Sequence, residues 1–109
     1  MKFNCIDKNI NDLNDQPLRL MSEMLSEILV YADGRREVQK LYALGTGIRK
    51  GEIDVDEADM KLIKEVVENF TNQGNPIASS PLVKAQILNE IEAQQLAARA
   101  GENKSEKKR

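Results

Sequence analysis

Four carboxylates crowd one short stretch of the chain: Asp54, Asp56, Glu57 and Asp59. Oxygen ligands at close spacing suit a hard cation, and Asp54-x-Asp56 opens like a calcium loop. Such a loop needs an oxygen ligand at its fifth position and glycine at its sixth, and those positions hold Ala58 and Asp59. A helix start explains the acids without a metal. Asp54 is a good N-cap, and Glu57 three residues later completes a capping-box pattern. Asp56 is an equally legal cap and moves the start by two residues. Acids at a helix N-terminus also meet its partial positive charge. A carboxylate site among Asp54, Asp56 and Asp59 is the one enzyme candidate, and capping accounts for it better.

The rest of the chemical inventory is thin. There is no histidine, so the usual general base near neutral pH and the commonest metal ligand are missing. Cys5 is the single cysteine, which excludes an internal disulfide and a cysteine-rich zinc site. A nucleophilic Cys5 would need a base other than histidine. Gly45-Thr46-Gly47 lacks the Lys-Ser/Thr ending and the preceding strand of a phosphate loop. The expectation is therefore no catalytic residues, no cofactor, no metal and no enzyme activity. The net charge of −2 gives no global attraction to nucleic acid or anionic lipid. No apolar run approaches membrane-spanning length, and the N-terminus lacks a signal-peptide core. The chain reads as soluble and cytoplasmic.

The elements that would carry these residues are helical. A chain of 109 residues is one domain by size. The clearest amphipathic helix is the third, about 55–71, where Leu62, Ile63, Val66, Val67 and Phe70 wind one apolar stripe. It is expected to be central. The first helix spans about 17–32, with Pro17 in its first turn and Leu18, Met21, Leu25, Ile28, Leu29 and Ala32 on one face. Gly34 ends it, and the second helix, about 35–50, follows almost at once. Gly45 lies on the second helix's apolar stripe, where a missing side chain admits a close neighbour, although Gly45 and Gly47 could also break it. Ser80-Pro81 starts the fourth helix, about 81–99. Residues 1–16 read as an extended arm that permits a short strand with no partner in this sequence. Residues 101–109 read as a disordered basic tail. The predicted fold is all-α: a small four-helix domain, residues 17–100, between that arm and that tail.

Two blocks carry a resemblance. One runs Leu41-Tyr42-Ala43-Leu44 through Lys50-Gly51-Glu52 to Val55-Asp56-Glu57-Ala58-Asp59. The other is Ser80-Pro81-Leu82-Val83-Lys84-Ala85-Gln86-Ile87-Leu88. Over residues 17–92 their order resembles small helical proteins encoded by tailed phages and prophages. The resemblance implies a phage or prophage setting, in the host cytoplasm or the virion, and a binding role. It supplies no catalytic residues.

Apolar surface beyond the main stripe of the first helix, at Leu20, Met24, Val30 and Tyr31, points to a protein partner or self-association. The expected function is non-enzymatic protein contact, as an assembly factor, small virion component or host-directed inhibitor. The alternative is a DNA-binding transcriptional regulator, because the second and third helices joined by a short turn suggest a helix-turn-helix. The acids at 54–59 would then enter the major groove among phosphates, which repels, so no specific nucleic-acid binding is expected.

Overall fold

The computed structural model describes residues 1–72 and 74–107, with side chains described through residue 100. The element order is β1 (Lys2–Phe3), β2 (Asn9–Asn11), β3 (Pro17–Leu20), α1 (Met21–Val30), α2 (Val38–Lys50), β4 (Ile53–Asp54), α3 (Glu57–Asn69) and α4 (Pro81–Lys107). Among the described residues four helices are present as expected, but the fold is not purely all-α. β1 pairs antiparallel with β4, and β2 pairs antiparallel with β3. α4 is helical through Lys107, past the end expected near residue 99, and residues 108–109 of the expected disordered tail lie outside the described residues.

The N-terminal arm finds its partners within the chain, which corrects the expectation of an unpaired strand. Lys2 lies opposite Asp54 and Phe3 opposite Ile53. Met1 extends that ladder: its ammonium donates to the Val55 carbonyl at 2.8 Å, and the Val55 N–H donates to the Met1 carbonyl at 2.9 Å. Alternation then buries one side of the arm. Phe3, Cys5 and Ile10 are almost fully enclosed.

Residues 17–20 form a strand rather than the first turn of α1. The turn before them is built by side-chain chemistry. Asp12 Oδ1 accepts the N–H groups of Asn14 and Gln16, and Asp15 takes a left-handed φ of 59°. That reversal returns the chain antiparallel to β2, with a register shift between Ile10 and Asn11. The helix starts only after Leu20, which offers no side-chain cap.

α1 is the hub, not α3. It packs against α2, α3 and the β2–β3 hairpin, whereas α3 packs on α1 and α4. The α1–α2 crossing is close because residue 45 is glycine: a Cβ there would sit 2.7 Å from Val30 Cγ1 and 3.1 Å from the Ser26 carbonyl oxygen. Both Gly45 and Gly47 stay inside α2, so neither breaks it. α2 begins at Val38, later than the sequence suggests, and in the connection before it Arg35 pairs with Glu37 and with Glu65 of α3. Gly51, at φ 148°, ends α2 with its N–H on the Gly47 carbonyl.

The stripe on α3 is core as expected: Ile63, Val66, Val67 and the following Phe70 are buried, with Leu62 partly so. α4 starts after Ser80, whose hydroxyl oxygen receives the Val83 N–H at 3.5 Å, and it buries Val83, Ile87 and Ile91. Two glutamines on α4 do work that its apolar face cannot. Gln86 accepts the Asn11 N–H and donates to the Asn11 carbonyl, both at 2.8 Å. Gln94 does the same for Asn4, at 3.1 and 2.7 Å. Each side-chain amide thus stands in for a neighbouring strand and fixes the N-terminal segment to α4.

Candidate functional site

Three of the four carboxylates at 54–59, Asp54, Asp56 and Asp59, are committed to structure, while Glu57 stands exposed in the first turn of α3. Asp56 is the N-cap of α3: its Oδ1 accepts the Asp59 N–H at 2.7 Å, and Asp59 Oδ2 accepts the Asp56 N–H at 3.2 Å. That reciprocal box uses the second of the two legal starts, so the Asp54–Glu57 pairing is not the one formed. Asp54 sits in β4 instead and pairs with Lys2 at 2.8 Å. The Lys2 hydrogen bond holds the Asp54 carboxyl below the usual range. Asp59 is drawn across to α2 by Lys40 at 2.9 Å. Burial pushes the Asp59 pKa up, but the Lys40 hydrogen bond and the Asp56 N–H outweigh it, and the net shift is downward. Among the described residues no three His, Cys, Asp or Glu side chains cluster as a metal-binding group.

Cys5 is enclosed between the arm and α4. Burial, with the Glu90 charge adding to it, pushes the thiol pKa up to about 12. The thiolate is the reactive form, so burial holds Cys5 in its less reactive thiol form at neutral pH.

The four residues expected to bind a partner do not form one patch. Met24 is 4 % exposed and belongs to the core, because α1 is surrounded on more sides than one packed face requires; it is corrected from surface to interior. Leu20 is exposed but lies on β3, not on the helix. Val30 leans over Gly45 toward α2. Tyr31, just past the end of α1, is exposed and lines a shallow depression with Glu27, Phe70, Asn72 and Asn75.

A different apolar surface is more coherent. The tip of the β2–β3 hairpin and the segment leading into α4 enclose an open groove of about 560 Å³. Leu13, Leu18, Ile77, Pro76 and Leu82 line it, and Asp12 is its only ionisable wall. Leu13 projects from the hairpin tip at 91 % exposure, and Ile77 is also largely exposed. The groove is positioned by the Asp12 turn on one side and by the Asn75 carboxamide, which accepts the Ala78 N–H at 3.2 Å, on the other. Gln86 ties the two sides together through Asn11. Sequence reasoning missed this surface, since Leu13 belongs to no periodic stripe and its neighbours in the groove lie some sixty residues away along the chain. Two further apolar side chains, Val38 and Tyr42, stand exposed four residues apart on α2.

The helix pair α2 and α3 is linked through β4, which is taken up by pairing with β1. Lys40, a basic residue of α2, is neutralised by Asp59 at the start of α3. No helix among the described residues is long and apolar enough to cross a membrane. No protein-family model, curated protein or solved structure matches the chain.

Proposed function

We propose that this chain is a non-enzymatic helical protein of phage or prophage type that acts by protein–protein contact. The observation that carries the contact reading is the Leu13 groove. Isolated exposed apolar residues are ordinary, but a clustered apolar surface with a protruding leucine is the kind that a partner covers. The non-enzymatic reading is supported by the commitment of Asp54, Asp56 and Asp59 to capping or to lysine pairs and by the burial of the one thiol. The phage setting rests on the sequence resemblance over residues 17–92. Within it, an assembly factor, a small virion component and a host-directed inhibitor all work through such a surface, in the host cytoplasm or the virion.

The alternative, a DNA-binding regulator, gains no support from the charge at the N-terminus of α3. Asp56 and Asp59 stand where a recognition helix would face phosphates.

The test is capture of partners by full-length protein, together with sedimentation of the protein alone. Wild type is compared with a Leu13→Asp, Ile77→Asp double variant. Both positions are exposed, so the variant should fold normally. Binding or self-association that disappears in the variant supports the reading. A wild-type chain that remains a lone monomer sinks it.

A further inference from the structure

We propose that Asp33 is a site of spontaneous isoaspartate formation, with the Gly34 backbone amide as the nucleophile. Asp33-Gly34 is the only Asp-Gly or Asn-Gly dipeptide in the sequence. It lies in the exposed connection between α1 and α2. Ring closure requires the amide nitrogen of the following residue to reach the side-chain carboxyl carbon, and a bulky following residue obstructs that approach. Gly34 offers no obstruction: it has a φ of 73°, and no atom lies within 4 Å of where a Cβ would be.

Hydrogen bonding or ion pairing sets this position apart from several other aspartates and asparagines of the chain. The amides that follow Asp7, Asn14 and Asp15 are all engaged: Lys8 N–H on the Cys5 carbonyl, Asp15 N–H on the Asp12 carbonyl and Gln16 N–H on Asp12 Oδ1. Asn72 and Asn75 have their side-chain oxygens occupied by the N–H groups of Gly74 and Ala78. Asp54 and Asp59 are held in ion pairs. Asn89 lies inside α4, where the following amide belongs to the helical ladder. Among the described residues, no hydrogen bond engages the Gly34 N–H, and no ion pair restrains the Asp33 carboxylate.

The step balances without an oxidant or reductant. The Gly34 nitrogen bonds to Asp33 Cγ, and the carboxyl hydroxyl leaves with the amide proton as water, closing a five-membered imide. Water then opens the ring. Cleavage of the Cγ–N bond restores aspartate. Cleavage of the bond between the original main-chain carbonyl and nitrogen leaves the chain running through Cγ, as isoaspartate. The product has the mass of the starting protein and one extra atom in its main chain. That atom is inserted two residues before Arg35, whose guanidinium spans from Glu37 to Glu65.

The test incubates full-length protein at physiological pH and temperature, in parallel with the same chain held unfolded in denaturant. Isoaspartate is located by electron-transfer peptide mapping and counted by isoaspartyl methyl acceptance. An exposed loop opens at almost no free-energy cost, so the native chain should modify residue 33 at a rate within about tenfold of the unfolded chain. A transient species lighter by one water should precede the product, and Asp33→Glu should abolish both. Native modification slower than that limit, or isoaspartate accumulating first at another residue, would overturn the proposal.

Discussion

Replacing Gln86 by leucine tests how the groove is held in place. Leucine and glutamine have similar helix propensities, so α4 itself should be unaffected. The loss that matters to the hairpin is the pair of hydrogen bonds to the Asn11 N–H and carbonyl, each at 2.8 Å in a half-buried setting; the third, to the Leu82 carbonyl at 3.1 Å, lies within α4 itself. Two such bonds contribute about 1–3 kcal/mol together, at a net 0.5–1.5 each. For a domain of this size the melting temperature should fall by about 5–20 °C, since each kcal/mol moves it roughly 4–8 °C. The matching change Gln94→Leu should cost less, below about 1 kcal/mol, because Asn4 is exposed and water replaces the lost partner. Two measurements read the result: thermal unfolding, and hydrogen exchange at the Asn14 and Gln16 amides in the turn that carries Leu13. Exchange there should speed up in Gln86→Leu and stay unchanged in Gln94→Leu. A Gln86→Leu melt within about 2 °C of wild type, or a larger loss in Gln94→Leu, would refute the argument that this side-chain amide anchors the hairpin.

Gly45→Ala sets a helix-propensity gain of about 1 kcal/mol against overpacking of about 1–3 kcal/mol. The Ser26 carbonyl, 3.1 Å from the new methyl, is backbone and cannot turn aside as Val30 can, so calorimetry should show net destabilisation. A thiol reagent should label Cys5 only as the protein unfolds, because the thiol is buried with its pKa pushed to about 12; rapid labelling of the native chain at neutral pH would place the arm off α4. The Asp59 carboxyl is held below its ordinary value, so its pairing contributes stability that is fully present above the unfolded carboxylate pKa, about 4, and is lost as pH falls through the lower folded value. Denaturant titrations across that acid range should therefore be flatter for Asp59→Asn than for wild type.

Helix starts and stops were legible in the sequence where a single residue enforces them. Ser80-Pro81 opens α4 and Gly51 closes α2, because capping and φ preference are local. The α3 stripe was legible for the same reason, its period being written in consecutive turns. The strands were not. Leu18 and Leu20 alternate as in a strand, but Leu18 also falls on the helical face that Met21 and Leu25 continue, and only pairing with β2 decides between the two. β1 and β4 are two residues each, too short to show a period. The glutamine clamps left no signal, since a side-chain amide that binds a distant backbone looks like any surface glutamine. Of the candidate contact residues, Leu20, Val30 and Tyr31 are exposed, but in three separate surroundings. Met24 is interior because α1 is packed by α2, α3 and the β2–β3 hairpin. The groove itself joins residues 12–18 to residues 76–82, a juxtaposition that only the tertiary fold creates.

The proposed interface with another protein is the Leu13 surface. Sedimentation and partner capture by full-length wild type, beside the Leu13→Asp, Ile77→Asp variant, test it most directly. Burying one leucine contributes about 1.5–3 kcal/mol, so losing Leu13 alone should weaken binding by roughly ten- to a hundredfold. The wild type should carry a partner or a second copy, the variant should lose it, and their melting temperatures should agree. A partner retained equally by both proteins would place the interface elsewhere, and a wild type that is monomeric and partnerless would contradict the account outright.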